Sequence, residues 1–466
     1  MRMNPARLVA VAAAVWVAAA WAQSSPQESL AREIYRELIE IRTVHPDGDN
    51  TAAARAMQKR LLDAGFEPAD AQVIELAPLK GNLIARLRGT GELRPILLLA
   101  HIDVVEAKKE DWSDGLDPFR LTERDGFFYG RGTMDDKAMG AIYIANLIRL
   151  KREGQKLKRD LVVALTCDEE GGTHNGVYFL LKDHRPLVDA EFAINEGAEG
   201  HLVDGRPRVL GVQVAEKSYQ SFELEATNRG GHSSLPRSDN AIYDLAGALE
   251  RISRVEFAPS LGVVPRMLAK NSVPFERGEK AAALLAMAEH RETPEHLRVL
   301  SGDPEFNAQI RTTCVATRLE GGHADNALPQ RAKATVNCRL LPDENPEHVL
   351  QELQKAAGER VTVKPKNPVV PRPMTDPRGA VMKAIDRVGG SVWPTIETLP
   401  VMSAGATDGS QFRAAGIPVY GVMGLFQVRG EQRIHGRDER LPVKSFYQGL
   451  EFHYRLLRDL GDRPVS

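Results

Sequence analysis

The sequence predicts an α/β protein of two domains, on three observations. Short apolar runs alternate with helical stripes up to about Val209, the pattern of a largely parallel sheet covered by helices. Beyond that point the segments read strand, helix, strand, helix, strand, as in a small α+β module whose strands are half exposed. The chain also has 466 residues, more than one ordinary core accommodates.

The elements follow from local patterns. Leu30, Ile34, Leu38 and Ile41 fall on one helical face, and residues 50–64 form a second helix stopped by Gly65. Residues 82–87 and 96–100 are strand-like. Residues 136–151 carry a helical stripe of Ala138, Ile142, Ala145 and Ile148, ending near Gly154. Residues 161–167 and 192–194 are further buried strands. The smaller module comprises a strand at 221–227, a helix at 240–252, a strand at 335–340, a helix at 348–357 and a strand at 361–363. A long, partly helical insertion at about 257–311 interrupts it. Proline-rich sequence at 365–377 marks the return to the first domain, which closes with a strand at 418–423 and a helix at 443–460. The expected organisation is a leader at 1–22, a large domain in two parts at 23–211 and 366–466, and a small domain inserted at 212–365.

Composition excludes some classes. Hydrophobic residues make up 42% and charged residues 27%, as in a globular enzyme, and the formal charge of −2 offers no hold on a polyanion. No basic stretch is interleaved with aromatics, so nucleic acid is not an expected partner. Arg2 and Arg7 precede an apolar run at 8–20, and Ala20-Trp21-Ala22 supplies small residues two apart. This reads as a signal peptide cleaved before Gln23, hence export to the periplasm or beyond, with no stable membrane span afterwards. An uncleaved anchor helix is the alternative. The cysteines are Cys167, Cys314 and Cys338, an odd number that cannot pair fully. No C-x-x-C pair exists to build a thiolate zinc site, and Cys167, in a strand-like run, reads as a small buried hydrophobe.

Five segments carry chemistry. The apolar run 97–100 delivers His101, and Asp103 lies two residues on, the same face in extended backbone. A metal-bound imidazole usually gives its other N–H to a carboxylate. Gly130-Arg131-Gly132-Thr133-Met134-Asp135-Asp136 makes a tight turn into a helix, with one aspartate suited to its N-cap. Asp168-Glu169-Glu170-Gly171 places three acids at the end of a buried strand, where cations would relieve their repulsion. Asn195-Glu196-Gly197 puts another carboxylate at a strand end, and His435 is a second imidazole far downstream. In open α/β sheets ligands sit off the carboxyl ends of the strands, where such side chains can converge. Two imidazoles and several carboxylates suffice for two divalent cations. Nitrogen and oxygen donors without thiolate favour Zn2+, with Co2+ or Mn2+ as substitutes.

In order, spacing and strand context, His101-Ile102-Asp103, Gly130 to Asp135, Asp168 to Gly171, Asn195-Glu196-Gly197 and His435-Gly436-Arg437-Asp438-Glu439 resemble the signature of a dizinc family. It includes glutamate carboxypeptidase, aminoacylase, succinyl-diaminopimelate desuccinylase and carnosine dipeptidase-like enzymes. The resemblance runs from about Leu30 to Leu460. It implies a zinc-exopeptidase-like catalytic domain with a mostly parallel central sheet, and an inserted ferredoxin-like lid that forms a homodimer. It further implies that His101 and His435 each hold one metal, Asp135 bridges both, and Glu170 and Glu196 complete one ligand set each. Glu169 is then the general base, Asp103 orients His101, and the Asp135–Asp136 peptide is cis.

In the lid, Gly230-Gly231-His232-Ser233-Ser234 resembles the segment whose histidine reaches a partner subunit's active site and helps stabilise the oxyanion. Asn326 resembles a second lid residue that contacts substrate. Arg339 resembles the arginine that grips a substrate carboxylate, a contact suited to a planar guanidinium. Gly405 and Thr407 resemble a loop that lines the substrate pocket.

The expected activity is hydrolysis of an amide bond in a small peptide or N-acyl amino acid. Glutamate at 196, where aminopeptidase and dipeptidase members tend to carry aspartate, tilts this toward a carboxypeptidase or deacylase. An aminopeptidase or dipeptidase on the same fold, and a non-catalytic binding homologue, are the alternatives. A serine hydrolase built on Ser233 or Ser234 lacks a nucleophile elbow.

Overall fold

A computed structural model describes residues 25–367, 372–431 and 433–465. The expected leader at 1–22 lies outside the described residues.

Helix α1 (Pro26–Glu40) starts on a capping box. Ser25 Oγ accepts the N–H of Glu28 at 3.2 Å, and the Glu28 carboxylate accepts that of Ser25 at 2.7 Å. The helix buries Ala31, Ile34, Tyr35, Leu38 and Ile39. After it come α2 (Asn50–Asp63), β1 (Ala71–Ala77), β2 (Lys80–Leu87) and the fully buried β3 (Ile96–His101). The short hairpin of β4 (Thr122–Arg124) and β5 (Phe127–Tyr129) leads into the glycine turn that opens α3 (Lys137–Glu153). Then follow β6 (Leu161–Thr166), α4 (Gly176–Asp183), α5 (Arg185–Val188), β7 (Phe192–Val203) and β8 (Arg206–Glu216).

The inserted module begins with β9 (Ser218–Thr227), β10 (Gly231–His232) and α6 (Ala241–Ile252). Four short helices fill the insertion: α7 (Val263–Ser272), α8 (Gly278–Ala288), α9 (Pro294–Ser301) and α10 (Pro304–Ile310). The module resumes with β11 (Thr313–Gly321), β12 (Ala327–Leu328), β13 (Arg331–Leu340), α11 (Pro346–Ala357) and β14 (Val361–Pro365). The large domain finishes with α12 (Ala380–Val392), β15 (Glu397–Ser403), α13 (Gly409–Ala414), β16 (Val419–Val428), β17 (Arg440–Pro442) and α14 (Val443–Gly461).

Among the described residues the large domain holds an eight-stranded sheet in the order β1-β2-β6-β3-β7-β16-β8-β15. Its centre is parallel, β6-β3-β7-β16, as the buried apolar runs predict. Strands β2, β8 and β15 run against that direction, while β1, antiparallel to β2, runs with it. Helices cover both faces. Ile142 of α3, Ile385 of α12 and Phe452 of α14 belong to one core, while Val177 of α4 and Phe412 of α13 pack with Leu97 and Val162 on the other face.

The inserted module is a four-stranded antiparallel sheet, β11-β13-β9-β14, with α6 and α11 on one face, the ferredoxin-like arrangement expected. Strand β8 stays in the large sheet as far as Glu216, so the chain crosses into the lid at Lys217 and not at the expected 211/212 boundary. Strand β11 has no strand signature in the sequence. It is an edge strand exposed along most of its length, so its apolar residues do not mark a face turned to the core.

The insertion has a small core of its own, including Ala269, Leu284, Met287 and Phe306. Val264 of α7, however, packs into the large domain's core, and α7 lies beside the edge strand β15. The insertion thus packs against the edge strand of the large sheet. Lys217, at the crossing, donates to the carbonyls of Ala308 (3.0 Å) and Arg311 (2.7 Å) and so fastens the end of the insertion to the hinge.

Cys314 and Cys338, directly opposite on β11 and β13, form a disulfide, and Cys167 is a buried free thiol. Among the described residues no helix is long and apolar enough to cross a membrane.

Candidate metal centre

The apolar strand β3 ends at His101, which is 2% exposed. Its Nε2 lies 2.8 Å from Asp135 Oδ1 and 3.9 Å from Glu196 Oε2. Its Nδ1 lies 3.0 Å from the backbone carbonyl of Asp103 and 3.6 Å from that residue's carboxylate. The backbone oxygen is therefore the closer partner of the ring. The Asp103 carboxylate is engaged elsewhere, accepting the N–H of Glu169 at 3.1 Å and of Glu170 at 3.0 Å.

Asp135 sits in the turn before α3. Gly132 there has φ +85°, and a Cβ would meet Val104 Cγ1 at 2.9 Å, so glycine is required twice over. The Asp135–Asp136 peptide is cis, as the resemblance implies. Asp136 takes the N-cap position of α3, but its carboxylate makes no capping bond. Both its oxygens are buried without a hydrogen-bond partner, which corrects the expectation of an ordinary N-cap.

The acidic run after β6 is a turn and not extended backbone; Asp168 has φ +55°. Asp168 is held by the buried Lys80 ammonium at 2.6 Å. Alternation along a strand therefore does not set the directions of Glu169 and Glu170; the turn and its two bonds to Asp103 do. Glu196 lies inside β7, not at its end. The pairing of β7 with β16 is irregular there, and Gly197 has φ +144°. His435 comes from the loop between β16 and β17, with φ +62°, a costly conformation for a residue with a Cβ and one that concentrates at functional sites. Its Nε2 is 3.1 Å from Asp135 Oδ2 and 2.9 Å from Glu170 Oε1.

Five residues from five remote segments thus form two donor groups. His101, Asp135 and Glu196 make one; Asp135, Glu170 and His435 make the other; donor atoms in each lie within 4.8 Å of one another. Asp135 is common to both.

The electrostatics ask for positive charge at these two points. Burial would lower His101, but hydrogen bonds to Asp103 and Asp135 raise it well above its ordinary range. Hydrogen bonds to Asp135 and Glu170 push His435 up to about 10. Burial would raise Asp135, but the two imidazoles hold it well below the usual carboxylate range. Burial raises Glu196, with Asp135 and Glu169 adding to the effect against His101. Glu169 is pushed up to about 9 by burial and by Asp408, Glu170 and Asp103, against His101. A cluster of this sign and donor chemistry fits two divalent cations, with neutral imidazoles as ligands.

The lid residues have contacts of their own. His232 Nδ1 is 2.7 Å from Ser234 Oγ, and His232 pairs with Ala327 across the β10-β12 ribbon, beside Asn326. Neither His232 nor Asn326 belongs to a metal-binding group among the described residues. Arg339 lies on β13 with its guanidinium 4.9 Å from the ring centre of Tyr219. Gly405 donates its N–H to Ser403 Oγ at 3.0 Å. Thr407 gives both its N–H (2.8 Å) and its hydroxyl (2.9 Å) to the buried Glu216, and its hydroxyl oxygen accepts from Asn195 at 3.2 Å. Thr407 is thus an anchor that ties its loop to the neighbour of Glu196, rather than a free donor.

Several supporting residues act through contacts that the sequence does not show. Asp408 is buried and accepts from Thr166 (2.9 Å) and Asn175 (2.9 Å) behind the acidic turn. Glu216 pairs with the buried Arg413, whose guanidinium also reaches the carbonyls of Gln213 and Val419. Glu439 and Arg131 stand inside segments the sequence singles out, but their pairing across 308 positions carries no local trace.

A mostly parallel α/β sheet with two acid-and-imidazole groups sharing one aspartate defines a metal-dependent hydrolase. Residues 97–459 match peptidase family M20/M25/M40, and the chain belongs to this family. It is 29% identical over 444 residues to Aminoacylase-1 of Pongo abelii, covering 93% of this chain and 95% of that one. It is 30% identical over 395 residues to human N-fatty-acyl-amino acid synthase/hydrolase PM20D1, covering 80% of this chain and 76% of that one. The M20 family metallo-carboxypeptidase Sso-CP2 from Sulfolobus solfataricus shares the fold at a TM-score of 0.64 and 18% identity, covering 92% of this chain and 98% of that one.

Proposed function

We propose that the protein is an exported dinuclear amidohydrolase that releases a free amino acid from N-acyl amino acids or small peptides. The observation that carries this reading is the position of Asp135, one oxygen 2.8 Å from His101 and the other 3.1 Å from His435. A carboxylate so placed can bridge two cations. His101 and Glu196 would hold one ion, Glu170 and His435 the other, and the donor set favours Zn2+. When bound, the ions supply Lewis acidity toward the scissile carbonyl and the attacking water.

The chain's own residues do the rest. Glu169 takes the proton from the attacking water and returns it to the leaving amine, so one carboxylate serves as base and then as acid. Asp103 seats that carboxylate through the backbone. Arg339, stacked on Tyr219, holds the free carboxylate of the amino acid half, and Gly405 lines the pocket on the loop that Thr407 fastens. His232 and Asn326, brought together at the β10-β12 ribbon, serve a partner subunit's site in this reading.

The edge strand β11, with Val315 61% and Leu319 68% exposed, supports a homodimer through the lid. The Cys314–Cys338 disulfide supports an oxidising compartment, in line with the leader expected at 1–22. The names of the curated relatives support acylated amino acids as substrates.

The test is metal analysis of the purified protein and turnover of a panel of N-acyl amino acids, dipeptides and end-blocked analogues, before and after chelation. About two ions per chain and chelator-sensitive release of amino acid from free-carboxylate substrates are expected. Chelator-resistant turnover would end the reading. Turnover confined to substrates with a free amine would replace it with an aminopeptidase or dipeptidase.

A further inference from the structure

Strand β17 runs antiparallel to β5, with Arg440 opposite Tyr129. The pairing continues one step further, where the Gly130 N–H donates to the backbone carbonyl of Glu439 at 3.2 Å. Glu439 therefore falls at the mouth of the glycine turn that presents Asp135. Its side chain is 1% exposed and folds over that turn. One oxygen accepts the N–H of Met134 (2.7 Å) and of Asp135 (3.3 Å); the other accepts the N–H of Gly132 (3.1 Å) and the Arg131 guanidinium (2.6 Å).

Arg131, 2% exposed, uses another nitrogen to reach the carbonyl of Gly436 at 2.9 Å, the residue after His435. On the other side, Asp438 accepts both the N–H and the hydroxyl of Ser113, at 2.9 and 2.7 Å. The carboxylate of Glu439 thus ties two segments together: the turn with Asp135 and the loop with His435. A carboxylate has about four acceptor sites, and all four are used here by three backbone N–H groups and the Arg131 guanidinium.

We propose that Glu439 is a positioning residue that, with Arg131, holds the bridging carboxylate of Asp135 and the ring of His435 in mutual register, and so sets the affinity and geometry of the two-ion site. The proposal rests on the dinuclear reading above. Its physical basis is preorganisation. Asp135 must face two imidazoles at once, and a backbone shift of a fraction of an ångström lets it satisfy only one. An isolated glycine-rich turn cannot hold that position, because glycine widens its conformational freedom; a buried carboxylate gripping three of its N–H groups can.

The experiment uses the full-length protein with the variants Glu439→Gln and Glu439→Asp. Glu191→Gln serves as control, since Glu191 pairs with the buried Arg159 and belongs to neither metal-binding group. Zn2+ affinity is measured by chelator competition, ligand geometry by the visible absorption of the Co2+-loaded protein, and folding by thermal unfolding of the metal-free chain. Glu439→Gln turns a donor toward groups that already donate. It should fold, bind Zn2+ about 10- to 100-fold more weakly, the usual range for residues that orient metal ligands, and shift the Co2+ spectrum. In kinetics kcat should fall while KM holds. Glu439→Asp, which keeps the charge and loses reach, should fall between. Glu191→Gln should lower the unfolding temperature and leave Zn2+ affinity and spectrum unchanged.

Wild-type affinity and spectrum in folded Glu439→Gln would overturn the proposal while leaving the dinuclear reading intact. Unfolding of both Glu439 variants would also overturn it, in favour of a purely structural role. A wild-type chain that binds fewer than two ions would instead defeat the dinuclear reading.

Discussion

The carboxylate of Asp103 sits under the backbone of Glu169 and accepts its N–H at 3.1 Å, while the other oxygen takes the N–H of Glu170 at 3.0 Å. One buried acid thereby aims both a proposed base and a proposed ligand. Its contact with His101 is made more closely by its backbone carbonyl than by its side chain. In Asp103→Asn one oxygen becomes a donor and must face an N–H. We expect kcat to fall about 10- to 100-fold together with weaker Zn2+ binding. A variant that lost neither would show that the acidic turn holds itself.

Glu169 is the proton carrier of the proposed reaction and lies next to a ligand without being one of the donor groups. Glu169→Ala should lower kcat by a factor of about 100 to 10,000, the usual contribution of a general base, and leave about two ions bound. Metal analysis and turnover on the same sample check this. Retained turnover would remove Glu169 from the role.

Arg339→Ala should raise KM for substrates with a free carboxylate by about tenfold or more, equivalent to one charged hydrogen bond, and have little effect on carboxyl-amidated analogues. Arg339→Lys should restore only part of the loss, because an ammonium keeps the charge and loses the planar contact with Tyr219. Equal effects on both substrate classes would place Arg339 elsewhere.

The disulfide closes a loop with a sequence separation of 24 in the lid. Chain-entropy arguments give it about 3 kcal/mol of stability. Cys314→Ser with Cys338→Ser should therefore lower the unfolding temperature of the lid and leave Zn2+ affinity unchanged, since neither residue touches the metal-binding groups. Calorimetry with and without reductant measures it.

His453 gives a pH signature of stability. It is fully buried, and its Nε2–H donates to the Met423 carbonyl at 2.8 Å, while Nδ1 has no partner. Burial lowers its pKa from 6.5 to about 4, partly opposed by that hydrogen bond. Below pH 6.5 the unfolded chain takes up this proton and the native chain does not. This contribution to stability is therefore complete above 6.5 and is lost as pH falls toward 4, by up to about 3 kcal/mol. Denaturant unfolding of His453→Gln across pH 4 to 7 should show a flatter dependence than wild type, by about that amount. Parallel curves would show that His453 titrates normally in the folded protein.

Part of this site is legible in the sequence because His101 and the acidic run at 168–170 stand where buried apolar strands end, whereas Glu196 lies inside β7 and His435 in a polar loop. His101 follows Leu97, Leu98, Leu99 and Ala100, which can only be a buried strand, and Asp135 follows a glycine turn into a helix. Other features have no local trace. Strand β11 is exposed on both faces, so its pattern resembles a loop. The crossing at Lys217 lies in unbroken extended sequence from β8 into β9, where nothing local says that the hydrogen-bond partners change. The acidic turn follows directly on the buried run of β6, but the positive φ of Asp168 and its pairing with the buried Lys80 are visible only in the structure.

By itself the sequence determined the local matters: where helices begin and end, which runs are buried, and which residue types could ligate a metal. These follow from short-range sterics, caps and periodicity, all within a few neighbours along the chain. Only the tertiary structure decided which acids meet which imidazoles. It put the Glu439 carboxylate over the turn of Asp135, the Asp103 carboxylate under Glu169, and Thr407 against Asn195. Such contacts join positions remote along the chain, and a hydrogen bond acts over about 3 Å of space whatever the separation in sequence.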